Sequence, residues 1–118
     1  MTRAIAAALA AGAALLFTTP APARGAGDPA VAAGARLFTA VGCYECHGYQ
    51  GQGGAAGPRI AAPPMPYAAL AAYVRRPRRE MPPYTPAVLK DEDLRAIYAY
   101  LQSIPKPPPP QSLPLLNR

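Results

Sequence analysis

The clearest pattern in the first half of the chain is a stripe of apolar and small residues that recurs every three to four positions. The stripe begins after Asp28-Pro29, which favours a helix start because Asp caps helix N-termini well and Pro fits the first helical position. Its members fall on one face of a helix: Ala30, Gly34, Leu37, Phe38 and Val41. The pattern therefore predicts an amphipathic helix that packs this face into a core.

A second stripe lies near the other end of the chain. Asp91-Glu92-Asp93 places acidic residues in a first helical turn, where they interact favourably with the helix dipole, and Pro105 ends the segment. Between them an i, i+3, i+4, i+7 spacing is met by Leu94, Ile97, Tyr98 and Leu101. This pattern predicts a second long helix.

The middle of the chain predicts one more helix and no strand. The helix runs from about Pro66 to Val74, carries Leu70 and Tyr73, and ends before Arg75-Arg76-Pro77. No run of β-branched residues predicts a β-strand.

The N-terminal segment has the pattern of an export signal. Arg3 precedes an uninterrupted apolar run from Ala4 to Phe17, and small residues follow at 21–23. The run is shorter than the roughly 20 residues that a transmembrane helix needs. We expect residues 1–23 to be a cleaved signal peptide and the mature protein to be periplasmic, with no membrane span. Cleavage after Gly25 and an uncleaved N-terminal anchor are the alternatives.

The C-terminal segment is dominated by proline. Four consecutive prolines at 107–110 favour an extended polyproline II conformation, and three leucines follow, at 113, 115 and 116. The chain is thus expected to comprise the signal peptide, a folded domain over residues 24–105 and a Pro-rich arm over residues 106–118. The arm is either a solvated tail or a segment that docks on a larger partner.

Composition shows that the core lacks large side chains. Of 118 residues 51% are hydrophobic, but there is no Trp and there are only two Phe, whereas Pro and Gly number 17 and 10. Such a short chain has difficulty burying enough apolar surface on its own, so a bound apolar group or a covalent staple is needed. Composition and length also exclude a multidomain enzyme, a coiled coil, a collagen-like chain and a multispan membrane protein.

Both cysteines and the single histidine of the chain lie within one short motif, Cys43-Tyr44-Glu45-Cys46-His47. Cys-x-x-Cys-His is the attachment sequence of c-type haem. Two thiols about one helical turn apart form thioethers with the haem vinyl groups, and the next side chain places an imidazole on the iron. A zinc site would need a fourth ligand, and a thioredoxin-like dithiol would need a βαβ pattern. The motif therefore predicts Cys43 and Cys46 as the covalent attachment residues of one haem c, with His47 as an axial iron ligand.

Together with this motif, the segment from Gly34 to Ser103 resembles the class I monohaem cytochromes c. Gly-x-x-Leu-Phe at 34–38 leads into the haem motif, and a Met-Pro step at 81–82 precedes the last helix. The resemblance implies an all-α cytochrome c fold, in which three principal helices surround one covalently attached haem c. It also implies that the first and last helices cross, with Gly34 and Phe38 against Tyr98.

The same resemblance implies the other residues of the haem site. Met81 matches the position of the sixth iron ligand; Met65, which also lies between prolines, is the rival, and an open or water-bound sixth site is a third alternative. Gly57-Pro58 matches the step whose proline carbonyl accepts a hydrogen bond from the ligating histidine. Arg59 and Tyr67 are expected in the haem surroundings.

The charge of the chain is strongly positive. The formal charge is +6, and removal of the signal peptide, which holds one base and no acid, leaves +5. Four arginines, at 75, 76, 78 and 79, lie just before Met81. They either guide an acidic partner towards the haem edge or remain solvated and neutralise the haem propionates. Nucleic-acid binding is not expected of an exported protein without a recognition motif.

These features predict an electron carrier rather than an enzyme. If His47 and Met81 fill both axial sites, no small-molecule substrate reaches the iron. One-electron transfer between a redox enzyme and the respiratory chain is then the expected function. The partner would be a dehydrogenase or a terminal oxidase, and the protein either a free carrier or a small cytochrome subunit. The alternatives are a peroxidase-like haem enzyme or gas sensor with a displaceable sixth ligand, and a membrane-anchored cytochrome module.

Overall fold

The computed structural model describes residues 27–63 and 65–116. Its regular elements are α1 (Pro29–Ala40), α2 (Cys43–His47), α3 (Tyr67–Arg75) and α4 (Asp91–Ser103), followed by two short 3-10 turns at Pro110–Ser112 and Pro114–Leu116. The described residues contain no β-strand, which confirms the all-α class. Within the same residues no helix is long and apolar enough to span a membrane. The expected signal peptide lies outside the described part of the chain.

Helix α1 begins where the sequence predicts. The Asp28 carboxylate accepts a hydrogen bond from the Ala30 backbone N–H at 2.8 Å, which satisfies one of the free donors of the first turn. The buried face consists of Val31, Gly34 and Phe38. The expectation that Ala30 lies on this face is wrong. Ala30 is exposed, because the face of α1 that packs against α4 begins one residue later, at Val31.

Helices α1 and α4 cross in close contact at Gly34. A Cβ atom at this position would lie 1.9 Å from the Ala96 carbonyl oxygen and 2.9 Å from the Tyr100 Cβ. Phe38, one turn further along α1, is fully buried, and its ring centroid lies 5.7 Å from that of Tyr100. The absence of a side chain at Gly34 therefore allows the two backbones to approach.

The aromatic partner at this crossing is Tyr100, so the expectation of Tyr98 is wrong. Two residues along a helix are rotated by about 200°, which places Tyr98 and Tyr100 on nearly opposite faces of α4. Tyr98 faces α3 instead, where its ring meets that of Tyr67 edge-on with centroids 5.7 Å apart. Helix α4 thus contacts α1 through Tyr100 and α3 through Tyr98.

Helix α3 runs one residue later than predicted at both ends. Its Leu70 packs against the core, whereas Tyr73 is 42% exposed. The core itself is small, and its fully buried large side chains are Phe38, Leu89, Leu94 and Leu101. Cys43 and Tyr44 pack against this cluster. The cysteine–histidine motif therefore lies at the edge of the core.

Candidate functional site

Helix α2 is a short turn of helix between two glycines. Gly42 before it and Gly48 after it have φ values of 81° and 76°, a region that favours glycine because a Cβ atom is strained there. The Gly48 N–H donates to the Tyr44 carbonyl at 2.8 Å. Cys43 and Cys46 are three residues apart on this turn and form no disulfide. Since positions i and i+3 are neighbours on a helix surface, the two thiols are available side by side.

The His47 imidazole is fixed by a hydrogen bond from one of its two nitrogens. Nδ1 lies 2.8 Å from the carbonyl oxygen of Pro58. Because a carbonyl only accepts hydrogen bonds, Nδ1 carries the proton and donates it, which leaves the lone pair of Nε2 free for a metal. A hydrogen bond of this kind sets the orientation of a ligating histidine and increases its basicity.

The loop after α2 folds tightly against the imidazole. The Gly53 N–H donates to the His47 carbonyl at 2.8 Å, and the Gly54 N–H donates to the Gly57 carbonyl at 2.9 Å. A Cβ at Gly57 would lie 3.1 Å from two atoms of the His47 ring and 3.0 Å from the Cys46 carbonyl oxygen. A glycine at this position thus lets the chain pass close enough for the next carbonyl, that of Pro58, to reach the ring.

Tyr84 attaches the segment that carries Met81 to Val41, just before the cysteine–histidine motif. Its hydroxyl donates to the Val41 carbonyl at 2.9 Å and also contacts the Cys43 thiol. Met81, three residues earlier, is half-buried. This attachment bridges 43 residues of sequence and brings the Met81 segment next to α2.

Burial governs the protonation of the groups around Cys43. It raises the pKa of the Cys43 thiol to about 11, and hydrogen bonds from the Cys43 backbone and Tyr84 oppose this only in part. Burial also raises the pKa of Tyr84, and negative charge on Cys43 would raise it further. At neutral pH both groups are therefore protonated, and Tyr84 acts as a hydrogen-bond donor. A thioether at Cys43 would have no proton to lose, so this raised pKa describes the free thiol.

Met65 belongs to a segment with a different attachment. Its carbonyl accepts a hydrogen bond from the Tyr98 hydroxyl at 2.8 Å, and its side chain is 39% exposed. Tyr98 lies on the face of α4 that meets α3. The structure therefore ties the Met81 segment to Val41, next to the haem motif, and the Met65 segment to α4.

Tyr67 joins α3 to α4. Its hydroxyl donates to the Asp91 carbonyl at 3.1 Å, and the Arg95 guanidinium lies 4.2 Å from its ring centroid. Together with the Tyr98 contact, these interactions place Tyr67 in the packing between the two helices.

Arg59 links the loop after α2 to the segment that follows α4. It donates from Nη2 to the Pro105 carbonyl at 3.1 Å, and its side chain is otherwise exposed. Among the described residues, the side chains of Arg59 and Tyr67 form no hydrogen bond with the cysteine–histidine motif.

Sequence reasoning missed the role of Arg75. Its guanidinium binds the Tyr84 carbonyl and the Asp91 carboxylate, and only 17% of its side chain is exposed. The run of arginines suggested solvation, partner attraction or propionate binding, because nothing in their spacing distinguishes the first arginine from the others. Its ionic partner lies 16 residues away, in another helix.

The donor set fits a covalently held haem. It consists of two neighbouring unpaired thiols, an imidazole with a free Nε2 and a glycine-rich loop folded against that imidazole. The motif lies at the edge of a small core, where a large apolar group would add to the few large buried side chains. Haem bound there would supply one-electron iron chemistry, with the protein providing attachment, axial donors and burial.

Comparison with known proteins identifies the family to which this arrangement corresponds. Residues 29–101, from the start of α1 almost to the end of α4, match the family model described as cytochrome c oxidase, cbb3-type, subunit III. No curated protein and no solved structure matches the chain.

Proposed function

Because the chain belongs to the family of cbb3-type cytochrome c oxidase subunit III, a c-type cytochrome domain with covalently bound haem c, we propose that it is a periplasmic electron carrier with His47 and Met81 as axial ligands. A domain of this family transfers electrons and is not itself a catalytic enzyme. The family description favours a terminal oxidase as the redox partner. A dehydrogenase is the alternative partner. The proposal makes Cys43 and Cys46 the thioether residues.

The observation that carries the proposal is the hydrogen bond from His47 Nδ1 to the Pro58 carbonyl. It fixes the ring plane and leaves only Nε2 as a lone-pair donor. An imidazole held in this way suits a permanent axial ligand.

The attachment of Tyr84 to Val41 supports Met81 over Met65 as the second ligand. It holds the Met81 segment beside the start of α2, whereas the Met65 segment is bound to Tyr98 on α4. The prolines after Met81 stiffen the same segment. Ligation by His and Met raises the reduction potential of a haem relative to harder donors, which suits a carrier that donates electrons to an oxidase.

Replacing Met81 by alanine should lower the reduction potential by on the order of 0.2 V, a fraction of the roughly 0.8 V over which axial ligands tune haem. The weak red absorption band that marks methionine–iron ligation in the ferric protein should disappear. Redox titration and absorption spectroscopy measure both effects. Met65→Ala is the matched control and should leave both unchanged.

Two outcomes would contradict this assignment of the sixth ligand. If Met65→Ala removes the band and Met81→Ala does not, the ligand is Met65. If the wild-type ferric protein lacks the band and binds cyanide rapidly, the sixth site is open, as expected of a peroxidase-like enzyme or a gas sensor.

The exposed arginines after α3 are proposed to attract the partner. The side chains of Arg76, Arg78 and Arg79 are exposed and, among the described residues, form no hydrogen bond or ion pair. They lie within five residues of Met81. A cationic surface next to the proposed redox centre increases the encounter rate with an acidic protein surface, so the proposed oxidase or dehydrogenase would present acidic groups there.

Export and the boundaries of the domain complete the proposal. Residues 1–23 would be the signal peptide, residues 24–105 the cytochrome domain and residues 106–118 the arm. C-type cytochrome domains are typically exported, which agrees with the pattern of the N-terminal segment. The exposure of residues 105–115 supports placing the arm outside the core.

Deleting residues 106–118 should change the free energy of unfolding by no more than about 0.5 kcal/mol and leave the haem spectrum intact. The reason is that the described residues of this segment bury no side chain in the core. Denaturant unfolding followed by haem absorbance measures both quantities. A large loss of stability or an altered spectrum would show that the arm is part of the domain.

A further inference from the structure

The eight residues between α3 and Tyr84, here called the Met81 loop (residues 76–83), form a loop closed at its base. The Tyr84 N–H donates to the Val74 carbonyl at 3.1 Å, so the residues flanking the loop meet. The side-chain contact described within the loop is weaker than this backbone hydrogen bond, because the Tyr73 hydroxyl lies 3.5 Å from the Arg78 carbonyl. The position of Met81 therefore depends mainly on how the base is held.

Arg75 holds this base together. It is the last residue of α3, and its Nη1 donates to the Tyr84 carbonyl at 2.6 Å. Its Nη2 donates to the carboxylate of Asp91, the first residue of α4. One guanidinium thus joins the end of α3, the end of the Met81 loop and the start of α4, with only 17% of its side chain exposed.

Tyr84 transmits this attachment towards the haem motif. Its carbonyl is bound by Arg75 and its hydroxyl by the Val41 carbonyl, two residues before Cys43. The residue that ends the loop is therefore fixed at both its backbone and its side chain. Loss of the Arg75 bond would leave a half-buried carbonyl without its charged donor and release one of these two attachments.

We infer that Arg75 is a positioning residue, which keeps the Met81 loop closed and thereby holds the Met81 thioether at the iron. The inference rests on the proposed function, in which Met81 is the sixth ligand. In this role Arg75 acts through Tyr84, whose carbonyl it binds. The neighbouring Arg76, which is exposed and has no described side-chain partner, has no such role.

This role predicts a measurable change in ligand binding. Exogenous imidazole binds the ferric iron only in the fraction of molecules whose Met81 has left, so its apparent affinity is proportional to that fraction. In the wild-type protein, opening the loop breaks the Arg75 hydrogen bonds. A variant without these bonds opens at a lower free-energy cost. Because a charge-assisted hydrogen bond contributes enough to change an equilibrium about tenfold, Arg75→Met should bind imidazole about tenfold more tightly.

The experiment is an imidazole titration of the ferric holoprotein, followed by absorption spectroscopy. Arg76→Met is the matched control, because it removes the same charge one residue away, and it should bind imidazole with wild-type affinity. Arg75→Lys should be intermediate, since an ammonium restores the charge but not the two-pronged geometry. Asp91→Asn keeps the hydrogen bond between Arg75 and the Tyr84 carbonyl, so it should increase the imidazole affinity less than Arg75→Met does. It replaces Arg75→Met as the test variant if Arg75→Met does not fold.

A double variant distinguishes positioning from a general effect of charge. In Met81→Ala the sixth site is already free, so adding Arg75→Met should leave the imidazole affinity unchanged. The inference is overturned if Arg75→Met and Arg76→Met behave alike, or if Arg75→Met has the same effect with and without Met81. Failure of the proposed ligation gives a different result, in which Met81→Ala binds imidazole no more tightly than the wild type.

Discussion

Replacing Gly34 by alanine should lower the free energy of unfolding of the holoprotein by about 3 kcal/mol. The added Cβ would lie 1.9 Å from the Ala96 carbonyl oxygen and 2.5 Å from its carbon. These are backbone atoms of α4, so the clash cannot be relieved by rotating a side chain. The two helices must separate, and Phe38 and Tyr100, which pack just beyond the crossing, lose part of their contact.

Chemical denaturation of the purified holoprotein measures this effect. Gly54→Ala is the matched control, because a Cβ at Gly54 would have its nearest neighbour at 3.8 Å, an ordinary contact distance. It should change stability by less than about 0.5 kcal/mol. Since small domains are stable by only about 5–15 kcal/mol, the Gly34 variant should be clearly less stable. Equal stability of the two variants would contradict the close α1–α4 crossing.

Replacing both Cys43 and Cys46 by alanine should abolish covalent haem attachment, and each single replacement should reduce the yield of holoprotein to a small fraction of the wild-type level. The physical reason is that the proposed thioethers hold a group that also completes the core. The described core contains few large buried side chains, and Cys43 packs directly against them. Without haem the folded state loses this stabilisation, because anything that binds only the folded state shifts the equilibrium towards it.

Haem retained after denaturing extraction and the intact mass of the mature protein measure attachment. Tyr44→Phe, which alters the motif between the two cysteines but keeps both thiols, is the control and should mature normally. Full covalent attachment in both single variants would show that the thioether assignment is wrong. The wild-type mass also tests the proposed signal peptide, since a mature chain that retains Met1 would refute cleavage after Ala23.

Local patterns predicted the helices well because each pattern is contained within one helix. The Asp28-Pro29 start, the acidic first turn of α4 and the stripe of Leu94, Ile97 and Leu101 depend only on neighbouring positions. The all-α class follows from the same spacing, and the family match confirms the cytochrome c domain. The same patterns misjudged one face of α1 at Ala30, because a shift of one residue decides whether Ala30 or Val31 is covered.

The error at Tyr98 has a different origin. Helix α4 contacts both α1 and α3, so apolar residues occur on more than one of its faces. A stripe of apolar residues predicts which positions are buried, but it does not tell which neighbour each position meets. Tyr98 packs against Tyr67, and Tyr100 packs against Phe38, and only the crossing angle of the helices assigns them.

The sequence by itself determined the spacing of the Cys43–His47 motif, the helical class and the approximate bounds of three helices, because these depend on residues within a few positions of one another. The tertiary structure decided which groups meet across the fold. It joined Tyr84 to Val41 over 43 residues and Arg75 to Asp91 over 16, and it placed Tyr100 opposite Gly34. Such contacts depend on how helices cross and where loops return, and these arrangements follow from packing of the whole domain rather than from local spacing.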